Sequence, residues 1–122
     1  MINHLTISTS NVEAEKAFYE KALAPLGYVK AAEFPGAVMF VDGKDGDSVW
    51  VSAPKPGVIP APVHVAFTAA DVDAIKSFYE AGLANGGTDN GAPGPRPDYG
   101  PDYYAAFVHD PDGNNIEAVV NK

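Results

Sequence analysis

The sequence predicts an α+β fold built from two βαβββ modules in tandem. Three observations predict it. The chain repeats itself at a shift of 60 residues. Each copy reads as an alternating run, a helical run and then further alternating runs. Asp110-Pro-Asp-Gly113 sits where a tight turn would join the last two strands.

The repeat is direct. His4-Leu-Thr-Ile-Ser-Thr-Ser-Asn-Val-Glu-Ala-Glu-Lys-Ala-Phe-Tyr-Glu20 falls on His64-Val-Ala-Phe-Thr-Ala-Ala-Asp-Val-Asp-Ala-Ile-Lys-Ser-Phe-Tyr-Glu80, and Leu23 and Gly27 fall on Leu83 and Gly87. Later in each copy a shift of 67 puts Phe40-Val41 on Phe107-Val108 and Gly46 on Gly113. The extra residues fall in the Pro/Gly-rich stretch from Asn90 to Pro101. The two copies are joined by Pro54-Lys-Pro-Gly-Val-Ile-Pro-Ala-Pro62, whose prolines disfavour helix and stiffen the connection. The 122 residues therefore read as one domain, with a first module over 1–55 and a second over 61–122.

The elements follow in order. Residues 2–8 and 62–68 alternate, so His4, Thr6 and Ser8 share one face and Leu5 and Ile7 the other, with His64, Ala66 and Thr68 opposite Val63, Val65 and Phe67 in the second copy. Ser10 or Asn11, and Asp71, are helix-capping types, and Ser10 with Glu13 fits a capping box. Val12, Tyr19, Leu23 and Leu26 form one helical stripe and Val72, Ile75, Tyr79 and Leu83 its counterpart, with Gly27 and Gly86-Gly87 as stops. Strand-like runs lie near 28–33, 37–42 and 48–53 in the first module. In the second they lie near 102–109 and 114–120, with a weak one near 87–91.

Composition excludes several functions. Eight Lys/Arg against sixteen Asp/Glu give a net charge of −8, the wrong sign for general binding to nucleic acid or an anionic membrane. No apolar run approaches the ~20 residues of a membrane span. The absence of cysteine removes disulfides, thiolate metal sites and cysteine nucleophiles. Met1-Ile2-Asn3-His4 carries neither a basic nor an apolar leader region, so a cytoplasmic location is expected.

The polar faces of the strands carry the chemistry. Ile116, Ala118 and Val120 form the buried set of the last strand, which turns Asn115 and Glu117 the other way. If both sheets curve toward a common space, His4, His64 and Glu117 converge there, a donor set that suits Zn, Fe, Mn, Co or Ni. Each of these side chains is equally at home solvated or hydrogen-bonded on a strand, and the repeated histidine is also what a duplication would leave behind.

The paired modules, the two Phe-Tyr-Glu helices and Asp110-Pro-Asp-Gly-Asn-Asn-Ile-Glu117 resemble the vicinal oxygen chelate superfamily, the group of glyoxalase I, bleomycin-resistance, fosfomycin-resistance and extradiol dioxygenase proteins. The resemblance spans essentially the whole chain. It implies a curved eight-stranded cup with a divalent metal on His4, His64 and Glu117. It also implies a small-molecule substrate with vicinal oxygens, and a homodimer in which the cup is shared between copies. The fourth ligand position, reached by the shift of 67 from Glu117, is Trp50, and an indole cannot ligate a cation. True glyoxalase I chemistry is therefore disfavoured, and a lyase, isomerase or ring-cleaving dioxygenase is expected. Glu117 would move protons, with His109 at the rim and Tyr103 and Tyr104 nearby as candidates to assist. Trp50, Tyr103 and Phe107 would line the cup, and Arg96 and Tyr99 would reach substrate from the loop between residues 91 and 101. The alternative reading is a metal-free, bleomycin-resistance-like protein whose acidic, aromatic groove sequesters a cationic drug.

Overall fold

The computed structural model describes residues 1–121; Lys122, the last residue of the predicted second module, lies outside it. The first module runs β1 (His4–Ser8), α1 (Val12–Ala22), a 3-10 turn (Ala24–Leu26), β2 (Tyr28–Phe34), β3 (Ala37–Asp42) and β4 (Ser48–Ser52). The second runs β5 (His64–Thr68), α2 (Val72–Ala84), β6 (Thr88–Pro95), β7 (Tyr103–His109) and β8 (Asn115–Asn121). The predicted βαβββ order is present in both.

The eight strands form two separate four-stranded sheets, ordered β1-β4-β3-β2 and β5-β8-β7-β6, rather than one continuous curved sheet. Among the described residues no strand of one sheet pairs with the other. In each, the first strand lies parallel to the last and the rest are antiparallel. Each helix covers one face of its own sheet, and the two helices pack on each other. The opposite face of each sheet is left open.

The predicted alternation holds where it positions the site. His4, Thr6 and Ser8 are exposed while Ile7 is buried, and His64, Ala66 and Thr68 are exposed while Phe67 is buried. Helix α1 is capped by Asn11, whose side chain accepts the Ala14 amide, so the Ser10–Glu13 capping box does not form. Asp71 caps α2 as expected, accepting the Ala74 amide. The buried side of α1 is Glu15, Phe18, Tyr19 and Ala22, and that of α2 is Ile75, Phe78 and Gly82. Leu83, placed in the predicted stripe, is exposed. Gly87 meets the core so closely that a Cβ there would lie 2.6 Å from Val108 and 2.7 Å from Phe18, which crosses over from the first module.

Two further readings are corrected. Met39 pairs with Trp50 and Phe107 with Glu117, so Met39, not Phe40, occupies the position equivalent to Phe107. Counted between the last register pairs, Val41 with Ser48 and His109 with Asn115, the first hairpin encloses one more residue than the second, and in a strand a slip of one residue changes face. Phe40 accordingly lies in the core while Phe107 lies on the open face. The weak strand near 87–91 extends to Pro95, absorbing half of the predicted loop. As the edge strand it tolerates Pro93 and Pro95, and its pairing with β7 breaks register on either side of Gly91.

The modules are joined by a buried polar cluster. Tyr19 donates its hydroxyl to Asp110 at 2.5 Å, Thr9 donates to Asp112, and the Asp112 amide donates to Glu15 at 3.0 Å. Glu15 is fully buried, and its second oxygen has no partner. Burial first, and then the Asp110 carboxylate, push its pKa from the ordinary 4.5 up to about 9. Below about pH 4.5 the folded and unfolded chains both carry this proton, so it costs nothing. Between there and pH 9 only the folded chain keeps it, and stability falls as pH rises through that window. Glu15→Gln should therefore melt several degrees above the native protein at pH 8, about the effect of one or two kcal/mol on a domain of this size. The gap should close as pH approaches 4.5, as read by thermal denaturation across pH.

Candidate functional site

The strongest cluster lies on the open face of the second sheet. Glu117 is flanked in register by Ala66 on β5 and Phe107 on β7, and it is buried although it points away from the helices. Its neighbours cover it. The Tyr103 hydroxyl donates to Glu117 Oε2 at 2.5 Å, and His64 Nε2 lies 3.2 Å from Oε1. The carboxylate holds the Tyr103 proton, and its pKa rises from near 10 to about 12.

His64 Nδ1 lies 2.9 Å from the Asn115 carbonyl oxygen. A carbonyl only accepts, so Nδ1 carries the hydrogen and donates. A neutral His64 then aims the lone pair of Nε2 at the Glu117 carboxylate, an arrangement that needs a positive charge between or on the two groups. Two atoms at right angles on one ion, each at about 2.1 Å, would be about 3.0 Å apart. The observed 3.2 Å suits that role. So do the remote hydrogen bonds, because a ligating imidazole commonly donates its other N–H to a carbonyl and a ligating carboxylate is itself held by a donor. Asn115, which pairs with both His64 and His109, also leaves Oδ1 buried and without a partner. These residues fit a divalent cation.

His4 stands elsewhere. It is exposed on the first sheet, with Nδ1 2.8 Å from Asn3 Oδ1, beside an open groove of about 420 Å³ lined by Thr6, Met39, Ser48 and Trp50. Trp50 stacks on Phe34 with centroids 6.2 Å apart and rings inclined by 11°. The structure thus brings together His64, Glu117, Tyr103 and Phe107 but does not bring His4 to them within one chain. Among the described residues the only trio of potential ligands within 4.8 Å of one another is Asp42, Asp45 and Asp47. Those aspartates lie in the β3–β4 turn, where Asp42 accepts the amides of Lys44 and Asp45. The sequence reading passed over this trio, although the spacing Asp42-Gly-Lys-Asp-Gly-Asp47 displays it. A cleft of about 680 Å³ between β1 and β5 is walled by Leu5, Tyr28, Val65 and Phe67 and holds neither imidazole nor Glu117.

The remaining residues border the cluster. His109 is half-buried at the end of β7, on the row of Asn115 and His64. Phe107 stacks near His64 at 6.3 Å, and Tyr99 packs edge-on to Tyr103 at 5.4 Å. Tyr104 alternates away from Tyr103 and packs against the core.

The fold and site together define a protein of paired βαβββ modules whose open sheet faces carry imidazole and carboxylate groups. A family model described as the glyoxalase/bleomycin resistance protein/dioxygenase superfamily matches residues 1–118, and the chain belongs to that superfamily. Among solved structures it is similar to a glyoxalase/bleomycin resistance protein from Albidiferax ferrireducens T118, at 28% identity and a TM-score of 0.82, covering 98% of this chain and 97% of that one. A glyoxalase-related enzyme from Fulvimarina pelagi matches at 18% identity and TM-score 0.75, covering 98% and 86%. A glyoxalase/bleomycin resistance protein/dioxygenase family enzyme from Burkholderia phytofirmans PsJN matches at 17% and 0.75, covering 98% of each chain. No curated protein matches.

The Tyr103–Glu117 bond is directly testable. In Glu117→Gln the carboxylate is gone, and a tyrosine that ionises near pH 12 in the native protein should ionise closer to 10 in a spectrophotometric titration.

Proposed function

We propose that the protein is a divalent-metal-dependent enzyme acting on a small molecule that chelates through two adjacent oxygens, of the lyase, isomerase or ring-cleaving dioxygenase type. The observation that carries this reading is the 3.2 Å approach of His64 Nε2 to Glu117 Oε1, each oriented by a hydrogen bond on its far side. His64 and Glu117 would hold Fe, Mn, Zn, Co or Ni, and His4 of a second copy would complete the set. Once bound, such an ion supplies Lewis-acid polarisation of the substrate oxygens.

The chain's own groups do the rest. Glu117 accepts or returns a proton, and Tyr103 keeps its own proton through the working pH range and steadies Oε2. His109, the register partner of Asn115, would relay a proton toward solvent. Trp50 at the position equivalent to Glu117 leaves no second carboxylate for glyoxalase I chemistry. A homodimer that lays the first sheet of one copy over the second sheet of the other is supported by what the first sheet exposes. Val29 and Phe34 are 63% and 53% exposed, beside Trp50 and Met39.

Protein purified without chelator should contain close to one equivalent of a first-row metal per chain, and His64→Ala should contain none while keeping its circular dichroism spectrum. Tyr103→Phe should weaken the metal about 10- to 100-fold. His4→Ala should also lose the metal. A mixed dimer of His4→Ala and His64→Ala chains should regain one site, because one of its two cups receives both histidines. Absence of metal in the native protein, before and after reconstitution, would refute the reading.

The second reading, a metal-free drug-sequestering protein, is favoured by the Trp50–Phe34 stack, which offers a planar platform on an acidic chain. It expects Trp50 fluorescence to change on titration with a cationic glycopeptide in the presence of chelator. An unchanged signal would remove it.

A further inference from the structure

We infer that the molecule taken by this site carries a carboxylate, and that Arg96 selects for it. The inference rests on the proposed small-molecule site and names its substrate class. Arg96 is half-buried at the end of β6 and lies over Phe107, with its guanidinium carbon 5.4 Å from the ring centroid. Phe107 is the register partner of Glu117 and the stacking neighbour of His64, so the cation sits on the same open face as the candidate metal ligands.

The guanidinium is held in place by backbone. Nη2 donates to the Ala92 carbonyl at 2.8 Å, and Nη1 donates to the Gly94 carbonyl at 2.8 Å and more weakly to that of Pro95 at 3.4 Å. The strand makes room for it. A Cβ at Gly91, whose φ is +148°, would lie 3.0 Å from Phe107 and 3.1 Å from Arg96 Nη2, and one at Gly94 would lie 3.3 Å from Nη1. The register breaks in β6 fall at these glycines.

Those contacts use at most three of the five N–H groups, leaving at least two for a ligand. Among the described residues no carboxylate lies within 4.0 Å of Arg96, although acidic residues outnumber basic ones two to one. Lys16 and Lys30, by contrast, are both paired with carboxylates. A fixed planar cation, lying over an aromatic ring and unneutralised beside a candidate active site, matches the fork geometry of a carboxylate. A single guanidinium suits a monoanion better than a phosphoryl dianion.

The test uses 3,4-dihydroxybenzoate and its methyl ester, which share adjacent hydroxyls and a planar ring and differ in one charge. Both are titrated calorimetrically into native protein, Mn²⁺-loaded and metal-free. The acid should bind about tenfold more tightly than the ester or better, a preference that shrinks as salt rises. Arg96→Met should weaken the acid alone and close the gap, while Arg96→Lys should recover part of it. A native protein that does not distinguish the two, or binds neither, would overturn the inference, as would a preference that survives in Arg96→Met. If Arg96→Met fails to fold, Arg96→Lys decides, because an undiminished preference with the fork removed overturns the role. The metal reading fails separately. Native protein that takes up no metal yet prefers the acid loses the metal site and keeps Arg96, and metal uptake without discrimination does the reverse.

Discussion

Tyr19 reaches from the first helix into the second module and donates its hydroxyl hydrogen bond to Asp110, and much of the molecule's order follows from that contact. The same aspartate accepts the amides of Asp112 and Asn114 and the side-chain amide of Asn114. It therefore shapes the turn that sets β8 against β7. Asn114 in turn accepts the Val63 amide, fixing the chain one residue before His64. A line of hydrogen bonds thus runs from the module junction to the residue before His64 and to the turn that leads into β8. Phe18 supports the same contact from the apolar side, seated against Gly82 and Gly87. The buried Glu15 is the expensive part of this arrangement, because it is kept neutral among acids to make one bond to the Asp112 amide.

What the sequence displayed were features with a period. Alternation at His4 to Ser8 and at His64 to Thr68 assigned faces correctly, and the 60-residue repeat revealed two modules before any strand was placed. What it concealed were features that depend on counting across a turn or on a partner distant in the chain. The extra residue in the first hairpin leaves no mark on the hydrophobic pattern, since Met39 and Phe40 are both apolar, yet it decides which of them faces the core. Glu15 reads as an ordinary polar helix residue because its partner is 97 positions away. The division into two sheets is likewise a matter of helix packing, and no local run of residues encodes it.

The site divides along the same line. His64 and Glu117 were legible because each sits opposite an apolar set on its own strand. Their approach to 3.2 Å and the tautomer imposed by the Asn115 carbonyl were not, because both arise from the parallel pairing of β5 with β8. Arg96 was visible only as a cation on a loop. Its backbone clamp depends on the irregular path of β6 through Gly91 and Gly94, and proline and glycine runs do not announce that path.

The two modules have diverged in complementary directions. Across equivalent rows, Thr6, Trp50 and Met39 on the first sheet stand where the second carries Ala66, Glu117 and Phe107. The first face thereby becomes an aromatic and thioether surface whose one imidazole is His4. The second concentrates charge, with Glu117 between Tyr103 and His64 and Arg96 above Phe107. Neither face is satisfactory alone: one exposes Val29 and Phe34 to water, and the other sets the His64 imidazole against a buried carboxylate. Laying one on the other would answer both, since apolar area would be covered and a cation shared by His64 and Glu117 would lie in a space with little water, where its attraction for both is strongest. An uncharged side chain at Trp50 would suit that arrangement. A wall that must exclude water and stack against a planar molecule serves better without a charge of its own to solvate.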